Sequence, residues 1–105
     1  TERKRASANV IVTDVISGRV IGHLGDLSSN GMLLISKQSP RSEGLYQVSM
    51  TLPASSRTPP SSIEVGIQEQ WHEPATTSGQ IWAGYRIVAI SDADAAKVGS
   101  WLAHA

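Results

Sequence analysis

Cysteine and phenylalanine are absent from the 105 residues, and charge of either sign is in no excess. Without cysteine there is no disulfide framework, no thiolate metal site and no thiol nucleophile, which fits a reducing, cytoplasmic setting. The net charge is zero, from nine basic and nine acidic residues. That argues against broad binding to duplex DNA, which needs many uncompensated phosphate contacts. The same neutrality, with no Phe, disfavours the basic stacking groove of a single-stranded DNA or RNA binder. No apolar run approaches the roughly 18–20 residues of a membrane span, and no signal-peptide core appears, so no membrane insertion is expected. The chain opens on Thr1 rather than Met, which leaves room for residues upstream.

What remains is ordinary for a globular domain: 40% apolar and 17% charged residues. The length suffices for one domain with one modest core. Thr1 to Ala8 is polar and basic with nothing apolar to anchor it, and reads as a mobile arm (residues 1–8) before a folded domain (residues 9–105). Alone, Arg3-Lys4-Arg5 reads as a solvated tail. The β-branched run Asn9 to Val15 predicts a strand, Ser17-Gly18 closes a short loop, and Arg19 to Leu24 returns as its antiparallel partner. Met32 to Ile35 is continuously apolar, as in a buried strand or a barrel corner.

Lys37 to Gly44 reads as a loop. Tyr46, Val48, Met50 and Leu52 alternate with polar residues, the signature of a half-buried strand. Pro53 to Ser62, with three prolines and five Ser or Thr, cannot extend a ladder and reads as an exposed loop. In the next strand Ile63, Val65, Ile67 and Trp71 share one face, which makes Trp71 a core aromatic. Ile81 to Ile90 is the last strand. Ser91-Asp92-Ala93-Asp94 then resembles a capping box, and Ala95, Val98, Trp101, Leu102 and Ala105 repeat at helical spacing. Six strands and one C-terminal helix make the chain mainly β, a small antiparallel barrel or sandwich.

A catalytic reading fails early. Ser28 has Asp26 close in sequence, but one bend cannot supply nucleophile, base and orienting acid together. His23, His72 and His104 are scattered, without metal-ligand spacing, and no phosphate-binding loop of the Walker type is present. The chain therefore reads as a binding module rather than an enzyme, with no cofactor. The stretch Gly25 to Leu34 places Asp26, Ser28 and Gly31 in a polar bend between two apolar runs. Asp and Ser fix tight turns through backbone N–H groups, and Gly admits positive φ or close approach of a ligand.

This Asp-x-Ser-x-x-Gly bend behind a basic arm resembles the PilZ domain, the bacterial receptor module for cyclic di-GMP. The resemblance extends to the strand bearing Trp71, the segment Gly84-Tyr85-Arg86-Ile87 and the closing helix. It implies a six-stranded antiparallel PilZ-like β-barrel with a C-terminal α-helix. It also implies cyclic di-GMP as ligand, held by Arg3, Lys4, Arg5, Asp26, Ser28 and Gly31, and a relay to an unidentified protein partner. An Arg fork matches guanine O6 and N7, and a carboxylate matches guanine N1–H and N2–H₂. The resemblance places the tryptophan strand beside the nucleotide, which would make Trp71 a secondary ligand contact in place of a core aromatic. The arm departs from the family pattern: PilZ domains that bind cyclic di-GMP usually carry two arginines separated by three residues, and no register here supplies them. The alternative is a degenerate PilZ module that acts as a protein-interaction adaptor without nucleotide.

Overall fold

The computed structural model describes residues 2–6, 9–55, 58–76 and 79–104. Within them the chain forms β1 (Arg3–Arg5), β2 (Ile11–Asp14), β3 (Val20–Ser28), β4 (Gly31–Ser36), β5 (Leu45–Leu52), β6 (Ser61–Pro74), β7 (Ile81–Ile90) and α1 (Asp92–Ala103). Six strands run β3-β2-β5-β6-β7-β4, and β4 pairs back onto β3 to close an antiparallel barrel. Closure leaves no free edge within the ring, which removes the hazard of edge-to-edge association. The expected six-stranded barrel with a C-terminal helix is what forms, with β1 as one strand outside the ring.

Period-two alternation fills the interior. Val12, Leu24, Leu27, Met32, Leu34, Val48, Val65 and Ile67 all point inward and are buried. The helix starts as its sequence predicts: Ser91 is the N-cap, its hydroxyl accepting from Asp94 N at 3.1 Å. Val98 and Trp101 are the buried residues of its inner face, which packs on β6 and β3. Burying each large apolar side chain contributes about 1.5–3 kcal/mol. Asp94 adds a polar tie, accepting from Glu64 N at 3.0 Å.

Three expectations need correction. Arg3–Arg5 is not a loose arm but a strand, antiparallel to β3, with Arg3 opposite Ser28, Lys4 opposite Leu27 and Arg5 opposite Asp26. β1 and β2 thus follow one another along the same side of β3, bridged by Ala6 N to Gly25 O at 3.1 Å and Leu24 N to Val10 O at 2.9 Å. Its anchors are side-chain polar contacts, which apolar patterning does not register. Thr1, Ser7 and Ala8 of the arm lie outside the described residues.

The second correction concerns the bend. β3 continues through Asp26 to Ser28, so the turn shrinks to Ser29 and Asn30. Gly25 is an extra residue at a bulge, where the register with β4 shifts between Leu24 and Asp26. Gly31 has no positive φ. Its need for glycine is steric: a Cβ would stand 2.8 Å from Tyr85 O across the β4–β7 pairing.

The third is Trp71, which is 47% exposed rather than core. The register of β6 with β7 shifts between Glu69 and Trp71, so one extra residue inverts the alternation. Glu69 keeps the inward position beyond Ile67, and Trp71 turns out.

Candidate functional site

The bulge at Gln70 creates a groove on the outer face of β4, β7 and β6, flanked by the ends of β1 and β3. It encloses about 670 Å³, within the roughly 300–1,000 Å³ usual for small-molecule sites. Strand register lays out its floor in rows. Asp26, Leu33, Gly84 and Trp71 face one another in sequence across β3, β4, β7 and β6. In the next row Gly31 opposes Arg86, whose guanidinium donates to Gln68 Oε1 at 3.1 Å.

The charged end of the groove is Arg3 and Asp26. Arg3 Nη1 donates to Asp26 Oδ1 as an ion pair, with the Asp26 side chain largely covered and that of Arg3 half exposed. Arg3 Nη2 lies 3.8 Å from the position a Cβ on Gly31 would take, so the guanidinium sits over bare backbone. The opposite end is aromatic. Trp71 packs over Gly84, where any Cβ would collide with the indole ring, and Trp82 stands on the same outer face.

Of the six residues expected at a ligand, Arg3, Asp26 and Gly31 line this groove. Lys4 goes elsewhere. Alternation along β1 turns it away from Arg3 and Arg5, and its ammonium donates to the carbonyls of Trp101, at 2.9 Å, and His104. It also lies 4.2 Å from the centroid of a Trp101 ring. Arg5 is exposed on the same side as Asp26 but does not line the groove. Ser28 is fully buried, and its hydroxyl is spent on the hairpin: it accepts from Gly31 N at 3.1 Å and lies 3.0 Å from Asn30 Oδ1. Its position shapes the turn that presents Gly31.

Beneath the bulge lies a buried carboxylate that pattern reading passed over. Glu69 Oε2 is 2.6 Å from His72 Nδ1, and its Oε1 accepts from Glu43 N at 2.8 Å. The His72 hydrogen bond, then the Glu43 N–H, hold the Glu69 carboxyl below its ordinary range. The pair spans the bulge from residue 69 to residue 72 and also ties down the β4–β5 loop, where Glu43 has φ 57°. Tyr85 closes the core side of the site. Burial raises its phenol well above the usual range, and its ring meets Tyr46 edge-on at 6.0 Å. The clue to the groove was Glu69 itself, a charged residue on the apolar face of Ile63, Val65 and Ile67, which marks broken alternation. Among the described residues no group of three or more His, Cys, Asp or Glu could hold a metal ion, and no helix is long and apolar enough to cross a membrane.

No protein-family model matches the chain, and no curated protein matches it. Among solved structures it is similar to the inhibitor of motility MotI/DgrA of Bacillus subtilis, with a TM-score of 0.76 at 14% sequence identity. The match covers 97% of this chain and 47% of that one, so this chain spans about half the length of its structural neighbour. The fold is PilZ-like.

Proposed function

We propose that this domain is a receptor for cyclic di-GMP that relays the level of that bacterial second messenger, in the cytoplasm, to a protein partner. The observation that carries the reading is the Arg3–Asp26 pair at the rim of the groove on a PilZ-like barrel. One guanine offers acceptors on its O6/N7 edge to an Arg fork and donors on its N1–H/N2–H₂ edge to a carboxylate, so the two side chains complement one base between them. In the free protein they satisfy each other. An ion pair this exposed is worth about 0–1 kcal/mol, so a guanine that offers both partners stronger contacts displaces it at little cost. Gly31 lets the guanidinium and a base approach the backbone, and Ser28 holds the turn that places it. Arg3 and Arg86 are balanced in the lining by Asp26 and Glu73. Selectivity on this reading comes from positioned contacts rather than from a positive field.

Calorimetric titration tests it, with cyclic di-GMP against cyclic di-AMP and GTP. Adenine presents an N6 donor in place of the O6 acceptor, and losing one bidentate contact costs roughly 1–3 kcal/mol. Cyclic di-GMP is therefore expected to bind about ten- to hundredfold tighter than cyclic di-AMP. Equal affinities would remove guanine-edge readout. A second reading, an adaptor that needs no nucleotide, is favoured by a different observation: Ile11, Val15, Ile16 and Val20 leave apolar surface exposed around the β2–β3 hairpin. Absence of binding to any of the three nucleotides would replace the receptor by that adaptor.

A further inference from the structure

Among the described residues eight large apolar side chains are exposed, and five of them, Ile11, Val15, Ile16, Val20 and Leu45, gather around the β2–β3 hairpin. Val12 is buried, so Ile11 and Thr13 face outward on β2, and Val20, opposite Thr13, shares that face. Val15 N donates to Gln47 O at 2.8 Å, and Leu45 continues the outer face of β5 past the hairpin tip. The tip is firmly held. Asp14 Oδ1 accepts from Ile16 N at 2.9 Å, Asp14 O accepts from Gly18 N at 2.8 Å, and Ser17 Oγ accepts from Arg19 N at 3.2 Å. Gly18 takes the positive φ of 75° that closes the turn. The turn thus uses Asp14, Ser17 and Gly18 but not the Ile16 side chain, which is 87% exposed. A fixed isoleucine in water at a loop tip, beside four more apolar side chains, serves a contact rather than the fold.

We infer that this patch is where two copies of the chain meet about a two-fold axis. The exposed fractions of the five side chains amount to about three whole ones, several hundred Å² and so on the scale of the roughly 300–600 Å² patches that are often functional on small proteins. That is the apolar centre a standard interface requires, about 800 Å² per partner with a little over half of it apolar. Charge selects the occupant. Asp14 and Arg19 flank the turn on opposite strands, Asp14 N donating to Arg19 O at 2.8 Å. A two-fold axis through the hairpin carries Arg19 of one copy towards the partner's Asp14, and the reverse, whereas a partner of one sign would meet one of the two as a like charge. Nine basic and nine acidic residues leave no net charge, so two copies do not repel at a distance. Val20 to Asp26 spans six positions of β3, about 20 Å, so the contact leaves the groove open and stands independently of the nucleotide reading. It gives to a second copy the surface that otherwise speaks for an adaptor.

Sedimentation velocity over a series of concentrations tests this on the whole chain. Wild type is expected to pass from monomer to dimer in the micromolar range, the weak end for an interface of this area. Ile16→Lys sets a charge into the apolar centre and is expected to weaken the dimer about thirtyfold or more. Its melting temperature should stay within about 4 °C of wild type, because the side chain meets water and not the core. Arg19→Glu brings like charges together across the axis and is expected to weaken the dimer about tenfold. Because the chain has no cysteine, Val20→Cys supplies a single thiol in the patch. A short bis-maleimide is expected to join it to its copy far faster than it joins Val88→Cys, a control thiol exposed on β7. A wild type that stays monomeric into the high micromolar range would overturn the dimer and hand the patch to a partner of different sequence. Association of Ile16→Lys at wild-type strength, no effect of Arg19→Glu, or equal cross-linking of the two thiols would overturn it as well. Cyclic di-GMP titrations on the same samples decide the receptor reading separately, and a wild type that dimerises without binding nucleotide would leave the dimer standing.

Discussion

Replacing Lys4 by Met keeps the aliphatic stem and removes only the ammonium. In the wild type that group donates to Trp101 O and His104 O and lies over the Trp101 ring. α1 has no basic residue in its own last turn, so Lys4 supplies from another strand the positive charge that the helix C-terminus favours. A cation there is worth about 0.3–1 kcal/mol when exposed and up to about 2 when partly buried. The ring contact adds about 0.5–1 kcal/mol. The two overlap, since one ammonium makes both, and their joint loss is about 1.5–2.5 kcal/mol. For a domain of this size each kcal/mol shifts the melting temperature by about 4–8 °C, so Lys4→Met is expected to lower it by about 6–20 °C. Circular dichroism gives the shift, and calorimetry on the same samples gives cyclic di-GMP affinity, expected to change less than about twofold because Lys4 faces away from the groove. A fall under about 2 °C would show that β1 does not depend on the helix end. Lost affinity at an unchanged melting temperature would return Lys4 to the ligand.

Three further outcomes are expected. Asp26→Ala removes an ion pair worth about 0–1 kcal/mol, so the melt should move only a few degrees while preference for cyclic di-GMP over cyclic di-AMP collapses; retained preference would exclude the carboxylate from base readout. Gly31→Val drives a Cβ into Tyr85 O and is expected to cost on the order of 1–3 kcal/mol as overpacking at a strand pair, measured by urea unfolding; a neutral result would mean that β4 and β7 separate there easily. The folded-state carboxyl of Glu69 titrates below its ordinary value of 4.5, so its contribution is in place above that value and is lost as pH falls through the lowered one. Acid unfolding curves for wild type and Glu69→Gln should accordingly converge at low pH, and a constant gap down to complete protonation would contradict the assignment.

The barrel was legible because its strands alternate: Tyr46 to Leu52 and Ile63 to Ile67 each present an apolar set at period two, and Val48, Met50, Leu52, Ile63, Val65 and Ile67 of that set are buried. The helix was legible from Ser91 and the spacing of Val98 and Trp101. β1 was not, because its three residues are all basic and only the partners Asp26, Trp101 and His104 make a strand of them. Pattern reading puts Asp26 in a turn rather than a strand, since Gly25 looks like the start of a turn and is instead a bulge. Trp71 was assigned to the core because period two was carried across Gln70. A single inserted residue reverses everything after it, and nothing local announces the insertion except the ill-placed Glu69.

The groove straddles the junction between β4 and β7, strands about fifty positions apart in the chain whose pairing completes the ring. Hairpins such as β3–β4 or β6–β7 can form early from neighbouring residues, but this junction waits for the slow, entropically costly search that sets folding rates in β topologies. Half of the groove floor arrives with each side of the seam, so no partly folded chain presents it. A ligand seated there acts as a latch, and at a hundredfold excess over Kd it adds about 2.7 kcal/mol against opening. Amide exchange at Leu33, Leu34 and Ala83 would slow in step with occupancy. A cell that raises the concentration of such a ligand would thereby also lengthen the domain's lifetime against proteases.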